Sequence, residues 1–167
     1  MSSRPVAPIL KTLVFVILAP GTVLVWVPYV LLGKNILLPV AWARWLAFLP
    51  LVLGVAVLAK CAWDFAVVGL GTPAPIDPPK SLVASGLYRY VRNPMYVAIA
   101  LVLGSEALLF GSRRLLMYAL CVVACFVLFV MLYEEPALRR KFGASYETYC
   151  RAVPRWIPRL TAWQPGK

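Results

Sequence analysis

The chain has 167 residues, of which 62% are hydrophobic and only 14% charged, against roughly a quarter charged in ordinary soluble domains. With a mean hydropathy of +0.83, that balance excludes an ordinary soluble fold and predicts one membrane domain over residues 1–167. The net charge of +11 is met by attraction to anionic headgroups, with no aromatic-basic reading element to suggest a nucleic acid partner.

In chain order, the first apolar run, residues 13–32, carries no charge and is longer than the h-region of a cleaved signal, so it reads as a membrane helix with kinks at Pro20, Gly21 and Pro28. A second runs over residues 36–59, interrupted by Arg44, and is followed by Lys60 and Asp64, one turn apart and able to pair. The loop 69–93 then opens on "GLGTPAPIDPPK", a stiff, extended stretch. Its Gly69 and Gly71 read as a helix stop and not as a cofactor loop.

The loop closes on "GLYRYVRNPMY", residues 86–96, which concentrates hydrogen-bonding groups in an otherwise apolar chain. A residue before proline leaves the α region, asparagine caps helices and proline suits a first turn. Asn93 and Pro94 therefore predict a helix start, with Arg89 and Arg92 beside it, suited to an anion. A third apolar run, 94–110, contains Glu106, and a fourth, 115–133, is uninterrupted. The alternative for the polar stretch is interfacial anchoring, with snorkelling arginines and a tyrosine belt.

Glu134 and Glu135 follow, where the helix dipole disfavours negative charge; pairing with Arg139 or Arg140 is the structural explanation for them. After Pro136, Leu138, Phe142, Tyr146, Tyr149 and Val153 fall within an arc of roughly 80° at 100° per residue, the pattern of an amphipathic helix. "RAVPRWIPRL" closes the chain as an aromatic-basic anchor. Cys61, Cys121, Cys125 and Cys150 read as packing thiols. With no histidine in the chain, neither a metal site nor a histidine-based triad is expected.

The fold expected is an all-α integral membrane bundle of four transmembrane helices, 13–32, 36–59, 94–110 and 115–133. A C-terminal segment, 134–167, would lay an amphipathic helix over a cytoplasmic cofactor pocket. With four spans, 13 of the 17 Lys and Arg residues lie on the side of the termini and the central loop, which the positive-inside rule makes cytoplasmic. The expected location is multi-pass, in a bacterial inner membrane. The anion-friendly helix start, the acidic helix end and the amphipathic cover then meet on one face, a charge pattern matching S-adenosylmethionine.

"SLVASGLYRYVRNPMY" and "EEPALRRKFGASYETYCRAVP" resemble segments of the isoprenylcysteine carboxyl methyltransferase family. "NPMY" and "LYEEP" also resemble the phosphatidylethanolamine N-methyltransferases, over Lys80 to Pro158 in all. The resemblance implies transfer of a methyl group from S-adenosylmethionine to a lipophilic acceptor from the bilayer: an isoprenylcysteine-like carboxylate, a phospholipid amine, or a small hydrophobic thiol or acid. It implies a cofactor site of Lys80, Ser81, Leu82, Val83, Tyr88, Asn93, Pro94, Met95, Tyr96, Glu134 and Glu135, with Arg92, Tyr96 and Glu135 as catalytic candidates and no metal. Asn93 stands where the family usually has histidine, and Val130 where its carboxyl methyltransferases have arginine. The acceptor and the oligomeric state stay open. The rival readings are a non-catalytic lipid-binding or assembly protein and a small transporter using Glu106 and Asp64.

Overall fold

Apolar composition makes these segments helical, because a backbone away from water must satisfy its own hydrogen bonds. The computed structural model describes Val14 and residues 17–33, 41–68 and 84–164. The helices are α1 (Ile17–Leu32), α2 (Ala41–Val68), α3 (Pro94–Leu109), α4 (Arg113–Phe129) and α5 (Glu135–Ala152). A short 3-10 turn, Gly86–Arg89, precedes α3. A π-helical turn, Val130–Glu134, joins α4 to α5, and α5 is itself kinked at Gly143, whose φ of 52° and ψ of −129° are not helical. The N-terminal residues and the proline-rich stretch 69–83 lie outside the described residues.

The expected bundle of four transmembrane helices is not what forms. Among the described residues only two helices are long and apolar enough to cross a membrane: Trp45–Asp64 within α2, and the path that begins with α4 at Arg113. The other two apolar helices are short. With 16 residues, α3 extends about 24 Å at 1.5 Å per residue, less than a hydrocarbon core of ~30 Å. It begins only at Pro94 and ends where Gly111 takes a φ of 56°, after which Ser112 Oγ accepts from Leu115 N–H (3.3 Å) to cap α4. The first apolar run likewise stops at Gly33, with a φ of 56°. Hydropathy had counted four crossings; the chain is an all-α membrane-associated fold with two candidate spans.

Of the two short helices α3 is the packed one, while α1 meets the core at Leu24 and leaves Ile17, Val25, Trp26 and Tyr29 exposed. Leu24 of α1, Ile99, Val102 and Leu103 of α3 and Ala119 of α4 form the core, with Leu51 and Leu58 of α2 against it. At the α2–α3 contact, Gly54 lies so close that an added Cβ would sit 2.9 Å from Ala98 O and 2.8 Å from Val102 Cγ2, the small-residue contact on which membrane helices approach. The long helices turn their remaining side chains outward, Trp45, Leu49 and Leu132 being 74–78% exposed, as lipid contact requires.

Two π turns follow one rule. Thr22–Trp26 precedes Pro28, and Val130–Glu134 precedes Pro136. Each proline lacks the N–H that would serve a carbonyl of the preceding turn, and its ring crowds that turn, so the helix widens there. In the first, Val23 O has lost its π-helical donor to Pro28; Tyr118 OH of α4 donates to it instead, at 3.0 Å.

The path from Arg113 to Ala152 is 40 residues long, about twice the ~20 a crossing needs, so only part of it lies in hydrocarbon. Its apolar part ends at Tyr133. Charges begin at Glu134, and Arg139, Arg140 and Lys141 of α5 are exposed. The face of α5 expected to be apolar is the buried one: Tyr146, Tyr149 and Val153 form a second core, with Leu138, Phe142 and Trp163 against it. Lys60 and Asp64 pair as expected.

Candidate functional site

The site gathers where the 3-10 turn, the start of α3, the π turn and the chain's last segment meet. Gly86 opens the turn with a φ of 56°, and a side chain there would come within 2.8 Å of Asp64 Oδ2; glycine meets both constraints. The turn carries Tyr88 inward. Burial, then the charges of Cys61 and Glu134, push the Tyr88 phenol well above its ordinary range, so it stays a neutral hydrogen-bonding group.

On the first turn of α3, Tyr96 packs its ring on Phe126 of α4 (centroids 4.7 Å apart) and donates its hydroxyl to Glu134 Oε2 at 3.0 Å. The widened turn directs the two glutamates to different partners. Glu135 Oε1 accepts from Arg155 Nε (2.6 Å) and Oε2 from Arg155 Nη2 (2.9 Å), while Arg92 Nη1 lies 3.1 Å from Oε1. Neither glutamate takes Arg139 as its salt-bridge partner, because Arg139 pairs with Glu147.

Those partners separate the carboxylates electrostatically. Burial raises the proton affinity of Glu134; the Tyr96 hydrogen bond opposes this and the charge of Glu135 adds to it, with a net upward shift. Burial would raise Glu135 too, but the Arg155 hydrogen bonds and the charges of Arg92 and Arg155 outweigh it and hold Glu135 below its ordinary range. Glu135 is a neutralised structural anion. Glu134 is a desolvated carboxylate held by a neutral phenol, the state that a cationic group stabilises most.

The polar residues 88–93 serve largely as a platform for the last segment. Arg92 N–H donates to Pro154 O (2.9 Å), Arg159 N–H to Tyr90 O (3.0 Å) and Trp163 N–H to Arg89 O (3.0 Å). Arg89 Nε donates back to Trp163 O at 2.6 Å, and Tyr149 OH donates to Tyr88 O at 2.7 Å. Residues 153–163 thus form a strap across the start of α3, closed by Trp163 against Tyr149 (centroids 5.5 Å apart).

Asn93 differs from its expected role. Its side chain makes no capping bond; instead Nδ2 donates to Arg155 O at 3.2 Å, while its backbone carbonyl receives Val97 N–H. Arg92, expected beside an anion, is turned onto Glu135 and Cys150 Sγ (2.7 Å). Tyr88, Arg92, Asn93, Pro94, Tyr96, Glu134 and Glu135 are brought together, and Met95 is half-buried on the same first turn. Lys80, Ser81, Leu82 and Val83 lie outside the described residues. Arg155 is the site residue that sequence reasoning missed, because an extended strap has no periodicity and its arginine read only as part of an anchor.

Beside this site, a cavity of about 440 Å³ opens between α2, α3 and the strap, with an almost wholly apolar lining that includes Leu53, Val57, Tyr90, Val97, Leu101 and Pro158.

Residues 42–145 match the family described as phospholipid methyltransferase. The chain is 38% identical over 78 residues to protein-S-isoprenylcysteine O-methyltransferase of Schizosaccharomyces pombe, a match covering 46% of this chain and 33% of that protein. It is 34% identical over 76 residues to methanethiol S-methyltransferase 2 of Bradyrhizobium diazoefficiens, covering 46% of this chain and 28% of that protein. These matches span about a third of the length of the curated relatives. No solved structure matches the chain.

Proposed function

The chain belongs to the phospholipid methyltransferase family, and from that premise we propose that it is a membrane methyltransferase using S-adenosylmethionine and a lipophilic acceptor. The observation that carries the reading is Glu134: a desolvated carboxylate of raised proton affinity, oriented by Tyr96 where the two family-like segments meet. Such a group fits the ammonium of this cofactor.

S-adenosylmethionine supplies a methyl group already activated by its sulfonium. The residues have the remaining work of alignment and water exclusion. Glu134 holds the ammonium, and Tyr96 fixes the rotamer of Glu134. Tyr88 contributes a neutral wall, with Asn93, Pro94 and Met95 at the start of α3. Glu135, whose proton affinity two arginines depress, is unsuited to take a proton from an amine acceptor. Tyr96, whose hydroxyl already donates to Glu134, could pass such a proton only onto Glu134, whereas a carboxylate or thiolate acceptor needs no such step. The role proposed for Glu135 and Arg92 is therefore to hold the site together.

The relatives act on an isoprenylcysteine and on methanethiol by name, and the family is named for phospholipids; what these share is an apolar body with one nucleophilic atom. The apolar cavity beside the site supports an acceptor of that kind. Basic residues crowd the site end of α4 and its extension, Arg89, Arg139, Arg140, Lys141, Arg151 and Arg159 among them, against Arg113 and Arg114 at the other end. This favours a cytoplasmic site.

Calorimetric binding of S-adenosylhomocysteine to detergent-purified protein tests the reading. Saturable binding by the wild-type chain is expected; absence of binding would overturn it.

A further inference from the structure

The strap places one residue on both halves of the site. Its carbonyl accepts from Asn93 Nδ2 (3.2 Å), beside the turn that carries Tyr96, and its guanidinium forks onto Glu135 (2.6 and 2.9 Å), beside Glu134. Tyr96 and Glu134 are themselves joined at 3.0 Å. The contacts therefore close a ring that runs from Asn93 to Arg155, Glu135, Glu134, Tyr96 and back along the chain to Asn93. We infer that Arg155 is a positioning residue, which sets the distance between the start of α3 and the acidic turn and so presents Glu134 to the cofactor.

Three observations carry this. The fork is planar and bidentate, so it fixes orientation as well as distance, which a lysine ammonium at the same place cannot do. Glu135, its partner, is 5% exposed while the Arg155 side chain is 31% exposed, so a buried carboxylate relies for its compensation on a guanidinium that reaches in from the strap. The neighbouring backbone bond, Arg92 N–H to Pro154 O at 2.9 Å, fixes the strap on the other side of Arg155, so that the guanidinium has a rigid base.

The inference rests on the methyltransferase reading, and the test separates the two. Affinity for S-adenosylhomocysteine is measured on folded, detergent-purified full chains of wild type, R155Q, R155K, E135Q and the double variant R155Q/E135Q, with unfolding midpoints alongside. We expect R155Q to weaken binding about tenfold or more in the folded protein, a quantity that a merely structural pair would leave unchanged. R155K should recover only part of the loss. The double variant should bind no more weakly than the worse single variant, because the Arg155 guanidinium acts on the site through Glu135.

Wild-type affinity in R155Q overturns the inference alone, as does a double variant whose loss is the product of the two single losses. Where R155Q does not fold, R155K carries the test: several-fold weaker binding is expected, and wild-type affinity overturns the inference. Failure of the wild-type chain to bind overturns the methyltransferase reading, and this inference with it.

Discussion

Glu134 and Glu135 are adjacent in the chain, yet one is raised and the other lowered in proton affinity. The cause is the partner each meets across the π turn: a phenol for one, two guanidiniums for the other. Glu134→Gln should weaken S-adenosylhomocysteine binding by ~1.5–3 kcal/mol, the size of a charge-assisted hydrogen bond, while leaving the unfolding midpoint unchanged or higher, since burial already disfavours the charge. An unchanged affinity by calorimetry would remove Glu134 from the site. A pH dependence follows from the same shift. An ammonium binds the ionised carboxylate, and the raised proton affinity of Glu134 means that protonation competes above the ordinary glutamate range. Affinity should therefore fall on acidification, starting at a higher pH than an ordinary glutamate would give. Glu134→Gln should flatten that limb; an equal acid limb in the variant would assign the titration elsewhere.

Asn93 belongs to the same scale. Its amide holds the strap and does not cap the helix, so the donor is the property that counts. Asn93→His keeps a donor and should be tolerated. Asn93→Leu should lose ~1 kcal/mol. Asn93→Asp should lose more, because it sets a carboxylate against Arg155 O. Limited proteolysis of the last segment gives the readout: cleavage after residue 153 should rise in that order. Leucine behaving like wild type would refute the strap bond.

Among the elements, α3 decides the packing. The close approach at Gly54 leaves no room for a methyl group without moving Ala98 O or Val102, and overpacking of this kind costs ~1–3 kcal/mol. Gly54→Ala should accordingly lower the unfolding midpoint in detergent, and a wild-type midpoint would show that the α2–α3 contact is looser than the structure has it. The helical elements were readable where side-chain period reports burial. Leu138, Phe142, Tyr146, Tyr149 and Val153 announce a buried cluster, which forms although the helix kinks at Gly143 and Val153 lies past its end. The strap was not readable: its bonds are made by backbone groups of residues 154–163, whose partners in 89–93 no periodicity reveals. Arg92 and Asn93 read as ligand donors for the same reason, since a sequence shows that a group can donate but not what it donates to.

At the scale of the whole molecule, the number of crossings was the misreading. Hydropathy sums composition, so the run 94–110 counted as a span although α3, at 16 residues, falls short of the ~20 that a crossing needs. Two candidate spans remain, α2 and the apolar part of α4, and exposed apolar surface is found on both and on α1. If the apolar part of α4 crosses the bilayer, single cysteines introduced at Ser112 and at Thr161, in a chain with its native cysteines replaced, should be labelled by an impermeant reagent from opposite sides. Labelling of both from one side would show that α4 does not cross.

The central claim is methyl transfer to a lipophilic acceptor at a site that depends on Glu134. Its most direct test is to incubate membranes holding the wild-type chain or Glu134→Gln with methyl-labelled S-adenosylmethionine and to identify labelled species in the lipid extract by mass spectrometry. Label in a discrete lipophilic product is expected with the wild-type chain, reduced about tenfold or more at equal protein in the variant. No labelled product in the extract, or equal labelling by the variant, would contradict the account.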